Sequence, residues 1–222
     1  MLVTSFTKHC IPRLHVTDHL AVYTSFHQST LNKRLHTIFL PCIVFSVVNV
    51  LAYLGVHSSL HVYHLGTLVS LMAVVVISTI DIIGALCMLG WLIPICMFSG
   101  YVVYTYSPFI VIPSSVVLFM VSYYATVKYG HFKIEPALHL PTGQEDSNYY
   151  FRKGYVFSQG LHPNAGFADG LVQFCISPLA FTHDWLVLLG MRKKMEKKII
   201  HKREHFIRRL SQGEQPLVVI GG

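Results

Sequence analysis

The stretch Phe26–Pro41, FHQSTLNKRLHTIFLP, sets His27 and His36 nine residues apart, with Asn32 between them, and then runs into a long apolar segment. Nine residues of α-helix leave two side chains about half a turn out of phase, so one straight helix cannot point both histidines the same way. A helix capped by Ser29 or Thr30 and starting near Leu31 removes the conflict. His27 then lies on the loop before the helix and His36 on its second turn. Imidazole ligates zinc, iron, copper and nickel, so two of them gathered at the mouth of an apolar helix form a metal-capable knot. The helix continues through Thr37–Gly55, about the length that crosses a bilayer. Pro41 sits early in it, a position membrane helices tolerate when neighbours satisfy the freed carbonyl.

The rest of the 222-residue chain reads the same way. It is 53% hydrophobic and 12% charged, about half the charge of a soluble domain. Between Leu35 and Val127 there is no Lys or Arg, and Asp81 is the only acid. Charge is costly at the bilayer centre, so this gap marks a membrane domain. Leu65–Val127 holds three more helices at about 20 residues each, with breaks near Asp81–Gly84 and Tyr104–Pro108. Asp81 is expected to be solvated at the interface, and Tyr101, Tyr104 and Tyr106 fit an aromatic belt. The fold class is therefore all-α: a multi-pass membrane helical bundle with spans near 37–55, 65–83, 85–104 and 109–127. Leu171–Gly190 is nearly long enough for a fifth, but it carries Gln173, Pro178, His183 and Asp184 and is expected to be re-entrant or packed on the others.

The tail Arg192–Arg209, RKKMEKKIIHKREHFIRR, holds nine of the seventeen Lys and Arg. Ile199, Phe206 and Leu210 form an apolar stripe at helical spacing, the pattern of a basic amphipathic helix on an anionic membrane face. The organisation expected is a membrane domain, 1–191, and a basic amphipathic tail, 192–222. Nucleic acid is not the partner, because no groove-reading or stacking motif accompanies the positive charge. The five cysteines are odd in number, form no CxxC pair, and read as small packing residues. The segment before Ser29 has no apolar core of the signal-peptide kind, which makes the first span the uncleaved membrane address.

Basic residues precede the first span and follow the fourth, and the loops between have none. The positive-inside rule then places both termini in the cytosol. His27, His36, His131, His139 and His162 share that side. His57, His61 and His64, in HSSLHVYH, lie at i, i+4 and i+7 on one helical face. They form either a metal face or a set of interfacial polar aromatics, and in both cases the bilayer separates them from His27 and His36. A histidine site with open positions suits Fe(II), a carboxylate and dioxygen as well as it suits zinc, and the adjacent bilayer suggests a substrate with an acyl tail.

At these motifs the chain resembles the Mpo-type membrane dioxygenases, the group related to the yeast endoplasmic-reticulum enzyme of fatty-acid α-oxidation. The entry motif corresponds to Phe26, His27, Asn32, His36, Ile38, Phe39 and Pro41. A second element corresponds to Gln159, Gly160, Leu161 and His162, followed by Asp169–Gln173 and Pro178, and Asp184 falls where the family often has an acid. The family's Phe-Glu pair after the second-half histidine has no counterpart here. The resemblance implies a catalytic membrane domain in the endoplasmic-reticulum membrane. It implies an Fe(II) cofactor and conversion of a 2-hydroxy fatty acid, with dioxygen, to the acid one carbon shorter, as in phytosphingosine breakdown. His27, His36 and His162 are the implied catalytic ligands, with His131 the candidate fourth. The alternative is a non-catalytic membrane scaffold or small transporter with incidental histidines. Catalysis requires these side chains to converge on one point; a scaffold does not.

Overall fold

The computed structural model describes residues 14–25, 27–53, 64–134, 172 and 175–211, with side chains except at 131–133 and 209–211. Every regular element among them is helical. In chain order these are α1 (Val16–Ser25), α2 (Thr30–Ala52), α3 (Leu65–Ser78), α4 (Ile82–Thr105), α5 (Pro108–Tyr123) running into a π-helical segment (Tyr124–Ile134), α6 (Ile176–Leu188) and α7 (Lys193–Ser211). The helix starts follow local chemistry. Ser29 is extended, with ψ at 130°, and releases α2 at Thr30. Asp81 caps α4 by accepting from the Gly84 N–H at 3.0 Å. Ser107 caps α5, whose first residue, Pro108, has no N–H to leave unpaired.

Among the described residues, three helical stretches are long and apolar enough to cross a membrane: Thr30–Ala52, Ile82–Thr105 and Pro108–Gly130. Only 28%, 33% and 22% of their apolar windows is buried inside the protein. The remainder faces outward, as at Leu86, Met97, Val117 and Phe109, the last 90% exposed. Apolar exposure on this scale suits a hydrocarbon surround rather than water. The sequence expectation of four like spans differs at the second. There α3 has 14 residues, a rise of about 21 Å against a hydrocarbon core of about 30 Å. Its start is capped by His64, whose Nδ1 accepts from the Thr67 N–H at 3.2 Å. His64 Nε2 donates to the Cys96 carbonyl at 3.2 Å, so this histidine ties α3 to α4. His57 and His61 lie outside the described residues.

The central element is α2, which packs against α3, α4, α5 and the π segment. It runs antiparallel to α5. Asn49 Nδ2 donates to Ser115 Oγ at 3.2 Å, and Tyr53 OH donates to the Tyr106 carbonyl at 3.0 Å. It runs parallel to α4, where Phe45 stacks on Phe98 with ring centres 5.3 Å apart. The starts of α2 and α4 and the end of α5 therefore meet at one end of the bundle. Helices α1, α6 and α7 gather there: α1 packs on α6 and α7, and α6 on α4. With 13 residues, α6 is too short to cross.

Two sequence expectations are corrected at this end. Asp81 is not solvated. It is buried, and the Arg192 guanidinium grips both its oxygens at 2.5 and 2.6 Å. Burial pushes the Asp81 carboxyl up, but the Arg192 hydrogen bonds, the Gly84 N–H and the Arg192 charge outweigh it and hold the group below the ordinary aspartate range. Arg192 itself sits at φ 59°, a left-handed conformation that costs a non-glycine residue about 1–2 kcal/mol. Gly84 leaves the room: a Cβ there would meet Asp81 Oδ2 at 2.3 Å and Leu179 Cδ1 at 2.6 Å. The second correction concerns the tail. Two of the three stripe residues on α7 are not open to a membrane surface: Ile199 (1% exposed) and Phe206 (3%) are buried, on a helix that packs on α1, while the side chain of Leu210 lies outside the described residues. Lys202 Nζ donates to Asp18 at 2.5 Å and to Thr17 at 2.9 Å. Lys193, Lys194, Lys197 and Lys198 remain exposed.

Removing one partner of a buried ion pair strands the other. Arg192→Met is therefore expected to lower unfolding stability in detergent by about 3–5 kcal/mol, and the added Asp81→Asn change to recover most of it. A single-variant loss under about 1 kcal/mol, the value of an exposed pair, would show that the clamp does not hold the bundle end together.

Candidate metal centre

The break between α1 and α2 does what the spacing of His27 and His36 requires. His27 leaves the end of α1, its backbone N–H bonding to the Thr24 carbonyl at 3.2 Å, and is 4% exposed. Its ring stacks on Tyr23, with centres 3.9 Å apart. His36 reaches back from the second turn of α2, and the two Nε2 atoms come within 3.2 Å. The rings meet edge to face, with centres 4.5 Å apart.

The hydrogen bonds assign the protons. His27 Nδ1 lies 2.8 Å from the Tyr23 carbonyl oxygen, which can only accept, so Nδ1 carries the hydrogen. In the neutral ring Nε2 is then a bare lone pair, and it points at His36. A backbone carbonyl on the far nitrogen is the usual way a ligating imidazole is oriented. Two nitrogens 3.2 Å apart, each about 2.1 Å from a shared ion, subtend roughly 100°. The pair thus fits two neighbouring positions of a metal centre. Without an ion, His36 Nε2–H donates to His27 Nε2.

The other expected ligands stand differently. His131 is in the π segment, which packs on α2, and its side chain lies outside the described residues, as does all of His162. Among the described residues no cluster of three metal-ligating side chains occurs. Asn32, the middle residue of the motif, is fully buried. It sits against Gly130, where a Cβ would come 2.2 Å from its Oδ1. Its contact holds the start of α2 to the π segment, a helix form often found at functional sites.

Three residues not named as ligands from sequence join the histidines. Lys33, His183 and Asp184 line one small polar recess with His27 and His36. His183 is buried, and its Nε2 donates to Glu196 at 2.8 Å. Its buried Nδ1 has no hydrogen-bond partner among the described residues. The His183 hydrogen bond, with the charges of His183, Lys33 and Arg203, outweighs burial and holds the Glu196 carboxyl below the ordinary glutamate range. Asp184 behaves oppositely: crowding by protein pushes its carboxyl up against the pull of Lys33 and His183, although its outer edge is exposed. The only signal for this group in the sequence was Asp184, at the position of the family's acid. On its inner side the histidine pair faces an apolar cavity of about 460 Å³, walled by α2, α3, α4, the α5–π junction and the start of α6.

Searches against protein-family models, curated proteins and solved structures match nothing, so the family resemblance rests on the motif residues themselves.

The Glu196 carboxyl is lowered on folding. Its contribution to stability is therefore complete above the unfolded glutamate range and is lost as the pH falls through the lower, folded value. Glu196→Gln is expected to melt below the wild type at neutral pH, with the gap closing as the buffer is acidified through that window. A gap independent of pH in detergent melts would remove the His183–Glu196 link.

Proposed function

We propose that the chain is a multi-pass endoplasmic-reticulum membrane enzyme that uses Fe(II) and dioxygen to convert 2-hydroxy fatty acids to acids one carbon shorter. The observation that carries this reading is the approach of His27 and His36 at 3.2 Å, with the His27 tautomer set by the Tyr23 carbonyl. Convergence of His27, His36 and His162 is what a catalytic site needs and a scaffold has no cause to build, and the first two of the three meet here. His27 and His36 hold the metal, and His162 and His131 complete the set named by the resemblance. Bound there, iron supplies the dioxygen chemistry that protein side chains cannot. The residues of the chain do the rest. Tyr23 keeps the ligating nitrogen of His27 bare, and Asn32 fixes the helix start that carries His36. The apolar cavity behind them keeps bulk water from the inner side.

The second of the four expected spans is assigned to α3 with its flanking turns, and both termini to the cytosol, because this puts every Lys and Arg on one face. The end where Asp81 meets Arg192 is then the cytosolic one. The exposed lysines of α7 lie on the same face and suit anionic headgroups, each worth about 1 kcal/mol near such a surface.

His27→Ala, His36→Ala and His162→Ala are each expected to abolish iron retention and 2-hydroxy-acid-dependent oxygen uptake in detergent-purified protein that remains folded. His57→Ala and His61→Ala, assigned across the membrane, are expected to keep both. Full iron content and oxygen uptake in the first three variants would refute the metal centre and favour the scaffold. Silence of His162→Ala alone would leave the His27–His36 pair standing and discard the second motif.

A further inference from the structure

The apolar cavity and the polar recess are two halves of one site. They share Tyr23, His27, His36, Leu40 and Ser177 as common wall. The recess adds Lys33, its one Lys or Arg, with the Asp184 carboxyl and the His183 imidazole beside it. The cavity adds mostly apolar side chains, among them Ile43, Val47, Leu51 and Ala73, with the hydroxyls of Ser70, Tyr123 and Thr126, the Cys175 thiol and no charged group. A polar mouth that offers a lysine and a greasy body suit an amphiphile whose anionic head pairs with Lys33.

Its dimensions say more. The cavity follows α2 from His36 to Leu51, fifteen residues apart, or about 22 Å along the helix. A saturated chain advances a little under its carbon–carbon bond length of ~1.5 Å per carbon, so this run holds on the order of 16–18 carbons. The far end lies where α3 comes close: a Cβ on Gly66 would sit 2.8 Å from the Val48 carbonyl. The wall is not sealed. Val47 (40% exposed), Val69 (43%) and Tyr123 (43%) line the cavity and also reach the surface. These gaps lie among helices whose outer faces are apolar, so a chain can enter sideways from hydrocarbon without crossing water.

We propose that this cavity binds one long acyl chain, that Lys33 anchors its carboxylate, and that the length of the run along α2 sets which chain is accepted. The proposal rests on the reading of the protein as a fatty-acid enzyme for its head chemistry, but not for its test. Val44 stands on the cavity wall, eight residues from His36 and so about 12 Å along. A larger side chain there divides the run near its middle.

The test is photolabelling of the full chain in detergent with the metal chelated away, which makes it independent of turnover. Hexadecanoic acid with a diazirine at its terminal carbon is expected to label α2 near Leu51 and α3 at Gly66 and Ser70. The outward residues of the same helix, Leu68, Met72 and Val75, should be spared. Val44→Phe should lose the far-end label, while a terminal-diazirine decanoic acid still labels near position 44. Lys33→Gln should reduce labelling by the acid to the level of the matching alcohol, which Lys33 cannot anchor. Circular dichroism and a monodisperse elution profile check that each variant is folded, and Val44→Leu serves as the milder variant should Val44→Phe fail. Label spread over the outward residues, or a diacyl phospholipid probe labelling the cavity where the fatty acid does not, would overturn the proposal. That result with iron retention intact would leave the metal centre standing; loss of iron binding with the far-end label intact would do the reverse.

Discussion

Charge that cannot enter hydrocarbon is the constraint on which this structure depends. Between Leu35 and Val127 the chain carries a single ionisable acid, Asp81, and it lies at the turn before α4 rather than within a helix. The antiparallel run of α2 with α5 and the parallel run of α2 with α4 collect the polar helix ends at one face. The groups gathered there satisfy each other: Asp81 with Arg192, Asp18 with Lys202, His183 with Glu196 and His27 with His36. A buried ion pair adds little net stability over a well-packed apolar pair, but it is severe against misplacement, since a stranded partner is costly. These pairs therefore set how α1, α6 and α7 close the bundle.

The histidine pair profits from that arrangement. On a continuous helix His27 and His36 would diverge. The break at Ser29 turns them toward one point, and the stacked Tyr23 ring and its carbonyl hold His27 there in one tautomer. The short α3 and the long α2 leave unfilled space on the inner side of the pair instead of a close-packed core. Few voids larger than a water molecule survive in a protein interior without a reason. A cavity of about 460 Å³ is of the size that takes a ligand.

Much of the fold was legible in the sequence because it is local. The apolar runs, the helix start at Ser29, the breaks at Asp81 and Ser107 and the helical tail each depend on residues within a few positions of one another. The meeting of His27 and His36 belongs here too, since it follows from their spacing and one capping residue. The short α3 was missed because the expected span, 65–83, ran on through Ser78–Asp81, where Ser, Thr and Asp end the helix at Ser78.

What the sequence by itself determined is that the long apolar runs and the basic tail are helices, that the apolar ones suit hydrocarbon, and that two histidines can face each other at the start of α2. What only the tertiary structure decided is what covers each face. The pattern of α7 shows that Ile199 and Phe206 share a stripe but not whether lipid or α1 covers it, because either apolar surface satisfies the same periodicity. Nothing near Asp81 announces Arg192, which lies 111 residues away. Lys33, His183 and Asp184 come to one recess, and the cavity opens behind His36, only when α6 docks against α2 and α4. Contacts between distant residues are set by the packing of whole helices, and no local spacing records them.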